Sequence, residues 1–217
     1  MKKISDISKE YDALVERYPQ LDNCREDVVD ALKLLIATYE SGGKLLLAGN
    51  GGSAADAEHM AGELMKRFVI HRPLSDDLRT ELKKVDSERG AHLASNLEMP
   101  LTAIPLVAHE ALVTAYMNDV NSLGVFAQQL LGVGRNGDAL LAISTSGNSE
   151  NIIHAAVLAK AMGIKVVCLT GENGGEMRNY SDITIRVPET ETFKIQELHL
   201  PIYHWLCKEL ELYFFGE

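Results

Sequence analysis

The chain has 217 residues, is 46% hydrophobic and carries a formal net charge of -10. That length suits one large domain, or a domain with a helical appendage, around a core of ordinary size. The acidic balance speaks against a protein that grips nucleic acid through a broad basic footprint, and no apolar run approaches the ~18 residues of a membrane span. Neither nucleic acid nor a membrane is therefore an expected partner. The N-terminal MKKISDISKEYDAL opens on two lysines without an apolar h-region, so no signal peptide is expected and a cytoplasmic location is. Cys24, Cys168 and Cys207 are widely spaced and show no metal or redox spacing, which makes them core residues.

In chain order, Ile4, Ile7, Tyr11, Leu14, Val15 and Tyr18 form a helical stripe that Pro19 ends. Val28, Val29, Leu32, Leu35, Ile36 and Tyr39 form a second, stopped at Ser41-Gly42-Gly43. This helical pair, residues 1–41, must bury its stripes on the chain's own sheet or on a second subunit. Residues 42–217 form the main domain. Its strand candidates are Lys44 to Ala48, Leu101 to Val107, Ala139 to Ser144, Lys165 to Thr170 and Asp182 to Val187. Most are continuous apolar runs separated by helical patterns, clearest over 148–162. That alternation implies a parallel sheet with helices on both faces and a ligand site beyond the carboxyl ends of the strands. A charged stretch, 74–99, shows helical spacing at Leu74, Leu78, Leu82 and Val85 and no strand signal. It reads as an insert of one or two surface helices, either a solvated cover or an active-site lid.

Chemistry-bearing residues collect at strand ends. GNGGS, residues 49–53, is a glycine turn after the first strand, with Ser53 expected as the N-cap of the next helix. The free N–H groups of such a junction suit an anion. STSGNS, residues 144–149, places four hydroxyls at another helix start. Ordinary capping explains one of them, and four at the binding end of a buried strand point to phosphate. TGENGG after the fourth strand reads as a turn. His59 and Glu63 share one helix face as a metal or acid–base pair, or as a surface i,i+4 contact. Gln196, Glu197, His199 and His204 interrupt an apolar C-terminal helix, where histidines are more often core or interface residues than ligands. Gln196 and His204 lie about 12 Å apart along a straight helix and roughly 80° around it. They share a ligand only if the helix bends near Pro201 or a subunit boundary supplies one of them.

The strings GNGGSAADAEH, ISTSGNS, LTGENGG and KIQELHLPIYH, in that order, resemble the phosphoheptose isomerases (sedoheptulose 7-phosphate isomerases) of the sugar-isomerase (SIS) superfamily. The resemblance spans about Tyr39 to Leu210. It implies a three-layer α/β sandwich on a five-stranded parallel, flavodoxin-like sheet, assembled as a homotetramer with active sites at subunit boundaries. By motif, Asn50, Gly51, Gly52, Ser53, Arg67, Asn118 and Asp119 would contact a sugar phosphate, and Ser144, Thr145, Ser146 and Ser149 would hold its phosphate. His59, Glu63, Gln196 and His204 would bind zinc, with Glu63 and Gln196 also touching substrate. Glu63 and His204 would be the catalytic proton-transfer pair of an aldose–ketose isomerisation through an enediol(ate). Two departures bear on the substrate. Those relatives join the first helix to the second strand by a short loop near the step that is Arg72-Pro73 here, and they often carry an acidic–basic pair where Phe193-Lys194 stands. The alternative is a non-catalytic SIS module that binds sugar phosphates or a replication-initiator partner; such relatives lack the acid–base glutamate and histidine.

Overall fold

The computed structural model describes residues 4–216, and side chains from residue 10 onward. The side chains of Ile4 and Ile7 lie outside the described residues. Helices α1 (Ile4–Arg17) and α2 (Arg25–Glu40) lead into β1 (Leu45–Gly49) and α3 (Gly52–Met65). Next come α4 (Asp76–Val85), α5 (Ser87–Asn96), the short β2 (Ala103–Pro105), α6 (Glu110–Asp119) and α7 (Val125–Val133). The chain closes with β3 (Ala139–Ile143), α8 (Glu150–Ala161), β4 (Lys165–Thr170), β5 (Ile183–Arg186) and α9 (Thr192–Phe215).

The five strands are all parallel in the order β2-β1-β3-β4-β5. Successive side chains of a strand point to opposite faces, so Leu45 and Leu47 enter one layer while Leu46 and Ala48 enter the other. The first layer packs α1, α2, α3 and α9 through residues such as Tyr11, Leu32, Met60, Leu64 and Ile202. The second packs α7 and α8 through Phe126, Leu130, Ile152 and Ala156. Both faces are covered, which is why the strands read as unbroken apolar runs. Within the chain α2 buries Val28, Leu32, Leu35 and Ile36 completely or nearly so, and the ring of Tyr11 on α1 meets Trp205 of α9 edge-on at 5.0 Å. The three cysteines are free and buried. Among the described residues no helix is long and apolar enough to cross a membrane.

Residues 74–99 contain two helices, as their spacing predicts. Pro73 bridges Glu98 antiparallel and Met99 N donates to Arg72 O at 2.8 Å, so the excursion leaves and rejoins the body at one point. Ser75 caps α4, and Asp86 caps α5 by accepting from Glu88 N and Arg89 N. The two helices cross so closely that a Cβ at Gly90 would lie 2.1 Å from Leu82 O.

Candidate active site

In a doubly wound sheet of this order, β1 and β3 are neighbours whose following connections run to opposite sides, leaving a crevice at their carboxyl ends. The loops after β1 and β3 meet there. They form a pocket of about 300 Å³ lined by Asn50, Gly51, Gly52, Ser53, Ser144, Thr145, Ser149, Thr192 and Gln196, with Ile143 at its base. The expectation for Ser53 needs correction. Gly51 is the N-cap of α3, no side chain caps it, and Ser53 sits in the first turn, 4% exposed. A glycine cap leaves the first N–H groups free of a competing hydroxyl.

The loop after β3 carries its hydroxyls inward. Ser144 Oγ and Ser149 Oγ are 2.9 Å apart, and Ser149 is the N-cap of α8 without a side-chain cap bond. Ser146 points elsewhere: its Oγ accepts from Asn148 N at 3.1 Å, and it does not line the pocket. The pocket walls carry no lysine or arginine, so an anion there would be held by hydroxyls, N–H groups and helix dipoles. The TGENGG loop buttresses this cradle. Gly147, at φ +67°, packs so tightly on Gly174 that a Cβ would lie 2.2 Å from its carbonyl oxygen. Gly171 N donates to Thr145 O and Glu176 N to the Asn148 side chain. Across the crevice Asn50 and Asn151 exchange two side-chain hydrogen bonds of 2.9 Å.

Gln196 belongs to this pocket. Its amide lies where a side chain on Gly52 would go: a Cβ at Gly52 would be 2.4 Å from Gln196 Nε2. Further along α3 a second group gathers. His59 Nε2 is 3.3 Å from Glu63 Oε1, and the rings of His59 and His204 meet edge-on at 5.0 Å. Tyr203 Oη donates to Asp56 Oδ1 at 3.4 Å and lies 3.0 Å from His59 Nδ1. The His59 ring thus lies between Tyr203 Oη at its Nδ1 and the Glu63 carboxylate at its Nε2.

Burial pushes the Glu63 carboxyl up, but Lys66 at 2.8 Å and His59 outweigh it and hold the group below its usual range, hence ionised. Burial, helped by His59 and opposed by Glu63, pushes His204 down, so its imidazole is neutral at pH 7. His204 Nε2 is buried and meets no hydrogen-bond partner. Among the described residues no three His, Cys, Asp or Glu side chains are grouped so as to hold a metal ion. His204 also lines a separate groove of about 440 Å³ between α1, the turn at Phe68–Val69 and α9.

The remaining expected contacts do not line the phosphate pocket. Arg67 Nε pairs with Glu98 Oε1 at 2.8 Å and its N–H donates to Glu98 Oε2, which ties it to the end of the insert. Asn118 and Asp119 end α6, exposed and hydrogen-bonded to each other at 2.8 Å. Thr192, Asn151, Tyr203 and Phe68 escaped sequence reasoning. Thr192 had a signal, since it precedes Gln196 by four residues and shares its helix face. The packing of the Phe68 ring on His204, at 5.4 Å, had none.

SIS domain models match residues 111–203 and 11–103. The phosphoheptose isomerase of Akkermansia muciniphila is 34% identical over 203 residues, covering 94% of each chain. That of Helicobacter pylori strain P12 is 37% identical over 209 residues, covering 96% of this chain and 95% of its own. Among solved structures, the phosphoheptose isomerase from Francisella tularensis superposes with a TM-score of 0.73 at 31% identity, over 97% of this chain and 98% of that one. GmhA from Neisseria gonorrhoeae gives 0.72 at 29%, over 95% and 97%.

Proposed function

We propose, from the premise that this chain belongs to the phosphoheptose isomerase family of SIS-domain proteins, that it isomerises sedoheptulose 7-phosphate to D-glycero-D-manno-heptose 7-phosphate through an enediol(ate). The observation that carries the reading is the gathering of Glu63 and His204 around His59, whose Nε2 lies 3.3 Å from Glu63 Oε1 and whose ring meets His204 edge-on at 5.0 Å. The non-catalytic reading requires neither. A carboxylate can take the proton from the carbon next to a carbonyl, and a neutral imidazole can give or accept one at an oxygen.

In this reading Ser144, Thr145 and Ser149 hold the phosphate with the free N–H groups that open α8, while Asn50 to Ser53 and Gln196 contact the sugar. Glu63 moves the proton between adjacent carbons and His204 manages the oxygens. The residues suit zinc in donor type. His59 Nε2 and Glu63 Oε1 lie 3.3 Å apart and are both atom types that zinc takes, and His204 Nε2 is an orphaned nitrogen. Zinc held by His59, Glu63, Gln196 and His204 would supply carbonyl polarisation.

A homotetramer with shared active sites belongs to the same proposal. Gly52 and Glu63 are separated by about 16 Å along α3, a span longer than one seven-carbon chain covers. Gln196 faces the phosphate pocket, whereas His204 lines the groove beside α1. A neighbouring subunit that brings its His59–Glu63–His204 group to this pocket closes the gap. Helix α6, with no buried residue and with Leu112, Met117 and nearby Val120 exposed, offers apolar surface for such an assembly.

The test is to incubate metal-stripped and zinc-loaded protein with a panel of ketose phosphates and follow aldose formation, beside Glu63→Gln and His204→Asn. Turnover of the seven-carbon ketose phosphate, lost in both variants, is expected. A folded protein that turns over no panel member refutes the reading.

A further inference from the structure

Helix α3 ends at Met65, and the last carbonyls of any helix lack intrahelical partners. Here they find an arginine from the chain beyond. Arg72 is fully buried, donating through Nη1 to Leu64 O at 2.6 Å and through Nη2 to Glu63 O at 3.2 Å. Its Nε donates to Glu211 Oε1 at 2.6 Å, and its guanidinium lies 5.0 Å over the Phe215 ring. Glu211 is equally buried. It accepts three successive backbone N–H groups, from Phe68 and Val69 at 2.7 Å and from Ile70 at 3.1 Å. Four donors on one carboxylate fix the chain between α3 and the insert. The Phe68 ring, placed by that bond, packs on His204.

Glu211 lies seven residues beyond His204 on α9, two turns along the same face. One buried ion pair thus reaches both members of the proton-transfer pair, Arg72 directly at the Glu63 carbonyl and Glu211 through the backbone of Phe68, whose ring packs on His204. We propose that Arg72 and Glu211 are positioning residues that set the separation of Glu63 and His204, and hence the chemical step. The proposal rests on the isomerase reading for its kinetic consequence. The phosphate loop sits at the other end of α3 and touches neither residue, so substrate affinity is independent of the pair.

The experiment compares wild-type protein with Glu211→Gln and with the double variant Arg72→Met/Glu211→Leu. The double variant removes both buried charges together, so neither is left unpaired. The N–H groups of Phe68, Val69 and Ile70 then lose their acceptor, whereas Glu211→Gln keeps an amide oxygen there. Thermal melts establish which variants fold. Steady-state kinetics on the ketose phosphate then separate kcat from KM, and NMR of the His204 ring reports its surroundings without turnover. The expected result is a kcat lower by about 10–100-fold, the scale of an ångström-level misplacement, with KM within about twofold and shifted His204 ring signals. A folded variant with wild-type kcat and unmoved ring signals overturns the proposal. So does a kcat loss matched by a KM increase with unmoved ring signals, which marks a general structural role. If wild-type protein turns over no sugar phosphate, the isomerase reading fails by itself and the ring signals alone decide the positioning claim.

Discussion

Replacing Gly52 by Ala separates stability from function with a sign that geometry dictates. Gly52 is helical, at the first position of α3, and an added methyl carbon would lie 2.4 Å from Nε2 and 2.9 Å from Cδ of Gln196. Ordinary contact begins at 3.4 Å, so the Gln196 amide must retreat by about 1 Å. The obstacle is the far end of a flexible side chain, and the fold accommodates it. Alanine in a helical conformation also restricts the unfolded chain, a gain of about 0.4–1 kcal/mol, or roughly 1–4 °C in Tm at this chain length. The displaced amide belongs to the site, and an ångström of misplacement costs on the order of 100-fold in rate. Scanning fluorimetry and steady-state kinetics read both effects on one sample. Expected is an unchanged or slightly raised Tm with kcat/KM lowered by about 100-fold. Wild-type kcat/KM would remove Gln196 from the site, and a Tm several degrees lower would show that the approach is not relieved by the side chain.

Other substitutions read other parts of the account. Gly147→Ala meets the backbone of Gly174 and Gly175 at φ +67°, so it should cost about 1–3 kcal/mol and lower Tm, the opposite sign to Gly52→Ala; an unchanged melt refutes the tight loop contact. Ser144→Ala should weaken binding of inorganic phosphate by about 10–100-fold by calorimetry, whereas Ser146→Ala, whose hydroxyl serves the turn, should weaken it far less. His199, fully buried beneath Thr170 O, is pushed down by burial to about 4. Its folded value lies below the ordinary 6.5, so the neutral ring's contribution is full above pH 6.5 and is lost as pH falls toward 4, roughly 3 kcal/mol in all. Urea midpoints at pH 7 and 4.5 should differ less in His199→Gln than in wild type, and equal differences contradict the burial argument.

The sheet was legible because both faces are covered: Leu45–Gly49 and Ala139–Ile143 are buried at every position and cannot be mistaken for half-exposed strands. The hydroxyl loop at Ser144 and Ser149 was legible for a related reason, since few structural needs place so many hydroxyls after a buried strand. What escaped the sequence depends on approach between distant segments. The contact of Gln196 with Gly52 requires knowing where α9 crosses α3, which no local spacing encodes. The Ser53 cap failed because Gly51 bends the chain two residues earlier than cap preferences alone suggest. Arg67 carries a charge that suits a phosphate, yet Glu98 returns to it from the insert, a pairing 31 residues apart in sequence. Arg72 and Glu211 are the extreme case, 139 residues apart and both fully buried, where sequence priors place charged side chains on the surface.

Proton transfer at carbon is the claim on which the account stands, and isotope exchange measures it directly. Sedoheptulose 7-phosphate incubated with the zinc-loaded protein in deuterium oxide should gain deuterium at the carbon next to the carbonyl as the aldose appears, followed by proton NMR. The exchange should vanish in Glu63→Gln while phosphate binding persists. Deuterium incorporation at the wild-type rate in Glu63→Gln, or none in the wild-type protein, contradicts the account.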